Sequence, residues 1–486
     1  MSSVIASKFR EIQQRVMFLS DKLTGRLCKS LAISGLVLYL IYIFLSNNPC
    51  CQSPTLFIKS RHKWAPYANT NPPTNISHLV FGIAGSSNTW RNKKWFIESW
   101  WRPNITRGYL FLDRPPTELL PWPPSSPPFR VSEDNSRYKE YNKHAMPHAI
   151  RMVRVIEETF KAEHNGSVRW YVMADDDTVF LVDNLVEVLA RYDHRKYFYI
   201  GMNSECIVSN FGNSFEMAFG GAGYALSYPL VEALAKNLDL CIKRYPTLYG
   251  SDHILQSCIA DLGVSLTQEK GFHQIDLRGD ISGFLSAHPQ SSFLSLHHLD
   301  LVEPIFPSMN QNESIFHLMK AAKVDESRLL QQTICFHKQS NWTFSISWGY
   351  SIQIYEKFFP PSILQRPLET FSQWRKGARP PYMFNTRSLS NDPCEAPHVF
   401  FFDSVEKPRG NHILTNYIRR WPRGLPACAS SGNHSADYIS KIRVLSPRRR
   451  HGGAGSRREC CDVVRLVDMN ATAVKLRTCM KNETVA

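Results

Sequence analysis

Residues Arg169–Phe180 read RWYVMADDDTVF, an apolar run of strand composition that stops on three consecutive carboxylates. Trp170, Tyr171, Val172 and Met173 suit a buried strand over Arg169–Ala174, so Asp175, Asp176 and Asp177 stand at its carboxyl end. Like charges this close repel unless a cation lies among them. A carboxylate cluster at a strand end can hold a hard divalent cation that clamps two phosphate oxygens and stabilises a departing nucleoside diphosphate. Asp177-Thr178 also precedes a helical run, Val182–Tyr192, so a helix cap is the competing reading.

Upstream, HLVFGIA (His78–Ala84) reads as the first strand, and Asn92–Trp101 spaces Trp95, Ile97, Trp100 and Trp101 as a helix does. GYLFL (Gly108–Leu112) is a second buried strand ending at Asp113. A Pro-rich loop, Arg114–Phe129, leads to an amphipathic helix over His144–Phe160 and so back to the acidic strand. This alternation predicts an α/β domain with a mainly parallel central sheet, covered by helices and binding its ligand at the strands' carboxyl ends. From about residue 305 the character changes. Thr343–Tyr355 (TFSISWGYSIQIY) alternates like a strand and Val399–Asp403 is another candidate, which predicts a separate β-rich C-terminal module.

Downstream of the triplet, FGGAGYALS (Phe219–Ser227) offers Gly220, Gly221 and Gly223, whose backbone can approach a ligand or form a tight turn. Tyr249-Gly250-Ser251-Asp252 then heads an apolar helix, His253–Leu262. Asp252 either caps that helix or, facing a pocket, takes a proton from a hydroxyl. His273 and the pair His297-His298 are candidate metal ligands or supports for them.

The ordered set GIAGSSNTWRNKKWFIESWW, GYLFLD, RWYVMADDDTVF, FGGAGYALS, YGSDHILQSCIADLGV and GFHQID resembles the Fringe-like β-1,3-glycosyltransferases, most nearly the plant Fringe-related branch with a C-terminal extension. The resemblance covers roughly residues 78 to 300. It implies a GT-A-like nucleotide-sugar-binding fold and a UDP-sugar donor bound with Mn2+ or another divalent cation. It implies that Asp177 and Asp175 hold the metal with His273, with His297 in SLHHLD as the rival. Asp113, Asp175, Asp176, Gly220, Gly221 and Gly223 would lie on the donor, and Asp252 would be the catalytic base. Ser251 stands where Fringe proper has an acidic neighbour, which leaves the acceptor open.

Composition bounds the rest. With 43% hydrophobic residues and 30 Pro and 24 Gly in no period, the chain is neither wholly disordered nor collagen-like. A net charge of +15 suits several anionic partners, but the basic residues are dispersed and give nucleic acid no footprint. The basic stretch Ser446–Glu459 reads as a solvated loop.

LAISGLVLYLIYIFL (Leu31–Leu45) lies in a stretch free of charge between Lys29 and Lys59, and Lys8, Arg10, Arg15, Lys22, Arg26 and Lys29 precede it. The positive-inside rule then predicts a cytosolic tail (1–29), a signal anchor (30–49), a luminal stem (50–77), a catalytic domain (78–304) and the C-terminal module (305–486). Eight Asn-x-Ser/Thr acceptors, at Asn75, Asn104, Asn165, Asn312, Asn341, Asn433, Asn470 and Asn482, all follow the anchor. An oxidising compartment favours disulfides among such cysteines as Cys206, Cys241, Cys258 and Cys335.

The resulting expectation is a Golgi type II membrane enzyme that transfers Gal or GlcNAc, with inversion and in β-1,3 linkage, to a glycan or glycoprotein hydroxyl. Homo- or hetero-oligomers stay open. The rival from another class is a non-catalytic glycan-binding or chaperone-like relative, which retention of both the triplet and Asp252 disfavours. A metal-dependent phosphohydrolase would use clustered Asp but gains nothing from the glycine segment.

Overall fold

The sheet that carries the acidic strand has seven strands in the order β3-β2-β1-β4-β7-β6-β8. They are β1 (Leu79–Ala84), β2 (Gly108–Leu112), β3 (Phe129–Val131), β4 (Trp170–Asp175), β6 (Tyr199–Gly201), β7 (Tyr224–Ser227) and β8 (Leu266–Gln268), while β5 (Val179–Phe180) lies outside this sheet. β1, β2, β3 and β4 run parallel, as their continuous apolar runs predict, and every residue of β1 is buried. The sheet is mainly parallel, as expected, and mixed through one strand: β7 runs antiparallel to both β4 and β6, and β6 pairs parallel with β8. Two short ladders flank it, β5 with β10 (Ser295–Leu296) and β9 (Leu277–Gly279) with β14 (Phe371–Gln373).

This computed structural model describes residues 36–40, 42, 72–287, 291–377, 379–406, 410–428, 435–448, 459–466 and 470–485. Of the expected anchor only residues 36–40 and 42 are described, and they are helical; the cytosolic tail, nearly all of the stem and residues 449–458 of the basic stretch lie outside the described residues. Among the described residues no helix is long and apolar enough to cross a membrane. The chain divides into residues 1–72 and one compact unit, 73–486.

Helices α1 (Trp90–Glu98), α2 (Ala149–Ala162), α3 (Val182–Leu189), α4 (Ile207–Gly212), α5 (Tyr228–Arg244) and α6 (Ser251–Asp261) fill the crossovers. α2, α5 and α6 cover one face, where Val80, Tyr171, Ile156, Leu230 and Ile254 share a core. A second core begins on the opposite face at Leu79, Phe81 and Trp170. It continues through α7 (Ser282–Ala287) and α8 (Gln311–Asp325) to Ile352 and Leu476. Full burial of a side chain such as Phe81 or Ile352 contributes about 1.5–3 kcal/mol, and here the contribution is shared across residue 305. The two halves are therefore one packed body, and residue 305 divides composition rather than structure.

The second half is an eight-stranded sheet, β11-β12-β13-β15-β16-β17-β19-β18, antiparallel at every step except β17 with β19. Its strands are β11 (Gln332–His337), β12 (Trp342–Ser347), β13 (Ser351–Tyr355), β15 (His398–Glu406), β16 (His412–Arg419), β17 (Lys441–Pro447), β18 (Glu459–Leu466) and β19 (Ala471–Thr478). The single strand expected over Thr343–Tyr355 is a hairpin instead. Gly349 takes φ +75, where a side chain is strained, and turns the chain between β12 and β13 while its N–H donates to Tyr417 Oη at 2.8 Å. Disulfides join Cys241–Cys258, Cys335–Cys461, Cys394–Cys428 and Cys460–Cys479. Cys206, expected among the paired cysteines, is buried and unpaired.

Candidate functional site

The triplet does not cap a helix. α3 begins at Val182 with Leu181 as its cap, and Asp175 is the last residue of β4. A turn follows: the Thr178 N–H donates to Asp175 O at 3.2 Å, and Thr178 Oγ1 accepts from the Asp175 N–H at 3.1 Å and donates to Gly221 O at 2.7 Å. One hydroxyl thus ties the triplet to the glycine segment. The β5–β10 ladder, with Val179 opposite Leu296, brings the next residue, His297, against the triplet.

Asp175, Asp177 and His297 form a group whose ligand atoms all lie within 4.8 Å of one another. His297 Nε2 is 3.0 Å from Asp177 Oδ1, while its buried Nδ1 has no protein partner. On the other side the Lys93 ammonium sits 2.7 Å from Asp177 Oδ2 and 3.3 Å from Asp176 Oδ1. Two carboxylates and an imidazole are a donor set that suits Mn2+ or a similar divalent cation, so the residues fit the expected ion.

Charge is unevenly held. Burial pushes the Asp175 carboxyl up to about 7 and Asp176 to about 6. Burial also opposes ionisation of Asp177, but His297 and Lys93 outweigh it and keep that carboxyl far below its ordinary value. Burial would lower His297, and Asp177 reverses this, raising it to about 9.

His273 is not in this group, which corrects its assignment as a metal ligand. Its Nδ1 lies 2.9 Å from Glu205 Oε1, and its ring packs against Phe284 and Phe293. The His273 carbonyl accepts from the His297 N–H at 3.1 Å, so it supports the backbone of the histidine that does reach the triplet.

Asp252 lies in the first turn of α6, whose cap position is Gly250. Its side chain points away from a capping role: Oδ2 accepts from the Gly220 N–H at 2.9 Å and Oδ1 from Ser251 Oγ at 3.2 Å. Burial raises its pKa, and those two donors hold it down. The glycine segment now has a steric reason. A Cβ at residue 220 would overlap the Asp252 carboxylate, and one at 221 would overlap the His297 ring. Gly223, at φ +81, turns the chain into β7 and leaves no room for a Cβ against Phe180.

Asp113 sits exposed just past β2, where its Oδ1 accepts from the Ser87 N–H at 2.8 Å. Burial would lift its pKa, but the Ser87 amide prevails and the carboxyl is held below its usual range. Ser86 and Thr89 in the same loop contact Asp176 Oδ2 at 3.4 Å each, which joins Asp113 to the triplet through residues 86–89. Lys93 carries no local mark in the sequence, because a lysine on an amphipathic helix ordinarily faces solvent, and here it is half-buried against the triplet. Trp374 escaped because it lies beyond residue 305, yet it lines the same cleft as Asp252 and His297.

A family model described as "Protein of unknown function, DUF604" matches residues 209–461, a little over half of the chain. The chain belongs to the DUF604 family. The DUF604 match runs from the glycine segment and Asp252 across residue 305 into the second sheet, and it begins after the acidic triplet. Two curated relatives are similar over a shorter stretch. The mouse protein named "Beta-1,3-glucosyltransferase" is 25% identical over 178 residues, covering 34% of this chain and 35% of its own length. The human protein of the same name is 26% identical over 151 residues, covering 31% and 29%. This DUF604 chain therefore matches about a third of the length of each. The solved Mn/GDP form of core-mannan synthase A from Aspergillus fumigatus aligns with a TM-score of 0.25 at 8% identity, covering 40% of this chain and 73% of that one. So slight a likeness carries no argument.

Proposed function

We propose that this DUF604 chain is a GT-A-like, Fringe-related glycosyltransferase that moves a hexose from a UDP-sugar to a carbohydrate hydroxyl with inversion. The observation that carries the proposal is the position of Asp252. Its carboxylate is held by Gly220 in the glycine segment whose next residue, Gly221, packs on His297 of the acidic group. One buried base beside a site for a diphosphate is the minimum that single displacement requires. The partial similarity to proteins named β-1,3-glucosyltransferase supports the same reading, with glucose joining Gal and GlcNAc as a candidate sugar.

Asp175, Asp177 and His297 would hold the divalent cation, which when bound supplies positive charge to the donor's diphosphate. Lys93, already against Asp176 and Asp177, adds a second positive charge there. The acceptor oxygen attacks the anomeric carbon, and the bond from that carbon to the phosphate oxygen breaks. UDP leaves with the electron pair, and the hydroxyl proton passes to Asp252. The Gly220 N–H keeps Asp252 Oδ2 fixed throughout, so no reorganisation is needed as the proton arrives.

The proposal extends to topology: anchoring in the Golgi membrane through residues 30–49, with everything after about residue 50 luminal. Four disulfides among the described residues support an oxidising compartment, and each of the seven described sequon asparagines is exposed. The decisive experiment measures UDP release from a panel of UDP-sugars, with and without Mn2+ and glycoside acceptors. No release and no UDP binding under any condition would overturn the transferase reading. Digestion of the large C-terminal part by protease added to intact vesicles would overturn the topology.

A further inference from the structure

A cavity of about 270 Å3 opens beside the acidic group and shares Asp175, Asp252 and His297 with it. Ser86 after β1, Lys93 on α1 and Asp113 after β2 do not line it, so it opens away from that side of the acidic group. Its outer wall comes from the far half of the chain. The β9–β14 ladder pairs Leu277 with Gln373 and thereby delivers Trp374 and Arg375 to the cavity.

Trp374 is fixed from both sides. His298 stacks on it with ring centroids 4.8 Å apart and planes 5° from parallel, and the Arg278 guanidinium lies 4.2 Å from its centroid. His298 is held in turn by Asp276, 3.2 Å away, which also lines the cavity. Opposite stands Tyr249, 45% exposed, whose hydroxyl accepts from Arg375 Nη2 at 3.3 Å. Arg375 and Tyr249 thus join the two sides of the mouth.

We infer that this cavity is the acceptor subsite and takes a terminal monosaccharide ring between Tyr249 and the Trp374-Arg375 strap. The inference rests on the transferase reading above. The chemistry is that of sugar recognition: Tyr249, exposed at the mouth, offers an aromatic face to the C–H face of a pyranose, Trp374, covered by His298 and Arg278, holds the strap in position, and Arg375, Asp276, Ser209 and Asn213 supply donors and acceptors for hydroxyls. The volume falls just below the roughly 300–1,000 Å3 of sites for drug-sized ligands, which suits one or two rings rather than an extended peptide. The sugar's hydroxyl then faces Asp252 at the cavity floor. Acceptor choice in this chain is accordingly written partly after residue 370, outside the segment that carries the catalytic motifs.

The test uses the full chain in detergent and two separate readouts. Saturation-transfer NMR measures binding of p-nitrophenyl glycosides of glucose, galactose, N-acetylglucosamine and fucose, with and without UDP and Mn2+, and calorimetry measures UDP. Tyr249→Ala and Arg375→Ala, both at the exposed mouth, should weaken glycoside binding by about tenfold or more while UDP affinity stays unchanged. Trp374→Phe should retain most of the binding that Trp374→Ala loses. The subsite is overturned if the parent binds none of the glycosides, if it binds Ser/Thr peptides instead, or if the mouth variants bind glycosides as the parent does. Failure of UDP to bind sinks the transferase reading and is recorded independently by calorimetry.

Discussion

Where the seven-stranded sheet ends its strands on carboxylates, the eight-stranded sheet secures its own with sulfur. β2 and β4 terminate at or just before Asp113 and the triplet, and a single disulfide, Cys241–Cys258, lies among the helices behind them. The second half holds three of the four described disulfides, and Cys335–Cys461 joins β11 to β18, the strands at the two edges of its sheet. Parallel strands linked by helices bury both faces and leave their carboxyl ends open, a geometry made for a site. A curled antiparallel sheet leaves edges to be managed, and here a cross-link spans them. Chemistry and cohesion are divided between the halves, except where the Trp374 strap crosses over.

If this division is right, damage to the first sheet's site should cost activity with the fold intact, and damage to the second should cost stability. The largest effect is expected for Asp252→Asn. Transfer should fall by about a hundred- to ten-thousandfold, with melting temperature and UDP affinity unchanged, because Asn preserves the shape but takes no proton. Transfer at the parent rate by a normally stable variant would return Asp252 to a structural role.

Next comes the paired change Cys335→Ser with Cys461→Ser. The bridge spans 126 residues, and its loss should lower unfolding free energy by about 2–5 kcal/mol. UDP binding at low temperature should survive. Concurrent loss of UDP affinity in a sample shown to be folded would blur the division.

Gly221→Ala comes third, since the added methyl displaces His297. Mn2+-dependent UDP affinity should drop by about ten- to a hundredfold while the melting temperature barely moves, checked by calorimetry with and without the ion. Unchanged affinity would mean that His297 is no ligand.

The last effect sits at the seam. Glu326, in the second half, accepts from the Asn184 N–H of α3 at 2.8 Å, and burial pushes its carboxyl up to about 7. The unfolded chain ionises this residue near its ordinary value, so between about pH 4.5 and 7 the unfolded state has lost a proton that the folded state keeps. Stability from this group is therefore full at low pH and declines as pH rises through that window. Glu326→Gln removes the decline: denaturant titrations should show the variant up to about 3 kcal/mol more stable at pH 8 and equal to the parent at pH 4. A parallel pH dependence of parent and variant would show that Glu326 is already ionised in the fold.

What could be read in the sequence follows physical range. β1, β2 and β4 stand out as apolar runs because both of their faces are buried, and the span Gly108–Leu112 matches β2 residue for residue. The triplet and Asp252 were legible because their signals are local: three charges in a row, and an acid heading a helix. His297 and His273 could not be told apart, because a two-residue ladder, β5 with β10, decides between them and no pattern announces a strand so short. The hairpin at Gly349 reads as one strand because alternation continues on both sides of the turn. The boundary at residue 305 misled for the opposite reason: composition changes there while the core continues, and Trp374 reaches its place through pairing that no local window contains.

That pairing also sets an order of events for a chain made from its amino end. When synthesis passes His297, every carboxylate, glycine and imidazole of the proposed donor side already exists. The Arg278–Trp374 contact closes a separation of 96 residues, so the wall of the neighbouring cavity arrives only after most of another hundred positions have been added. At the roughly 5–20 residues per second of translation that is an interval of seconds. Through it, β9 waits with its ladder unmade. The strap is thus a late closure on an early site: the residues of the proposed donor side are complete before the wall of the proposed acceptor cavity exists.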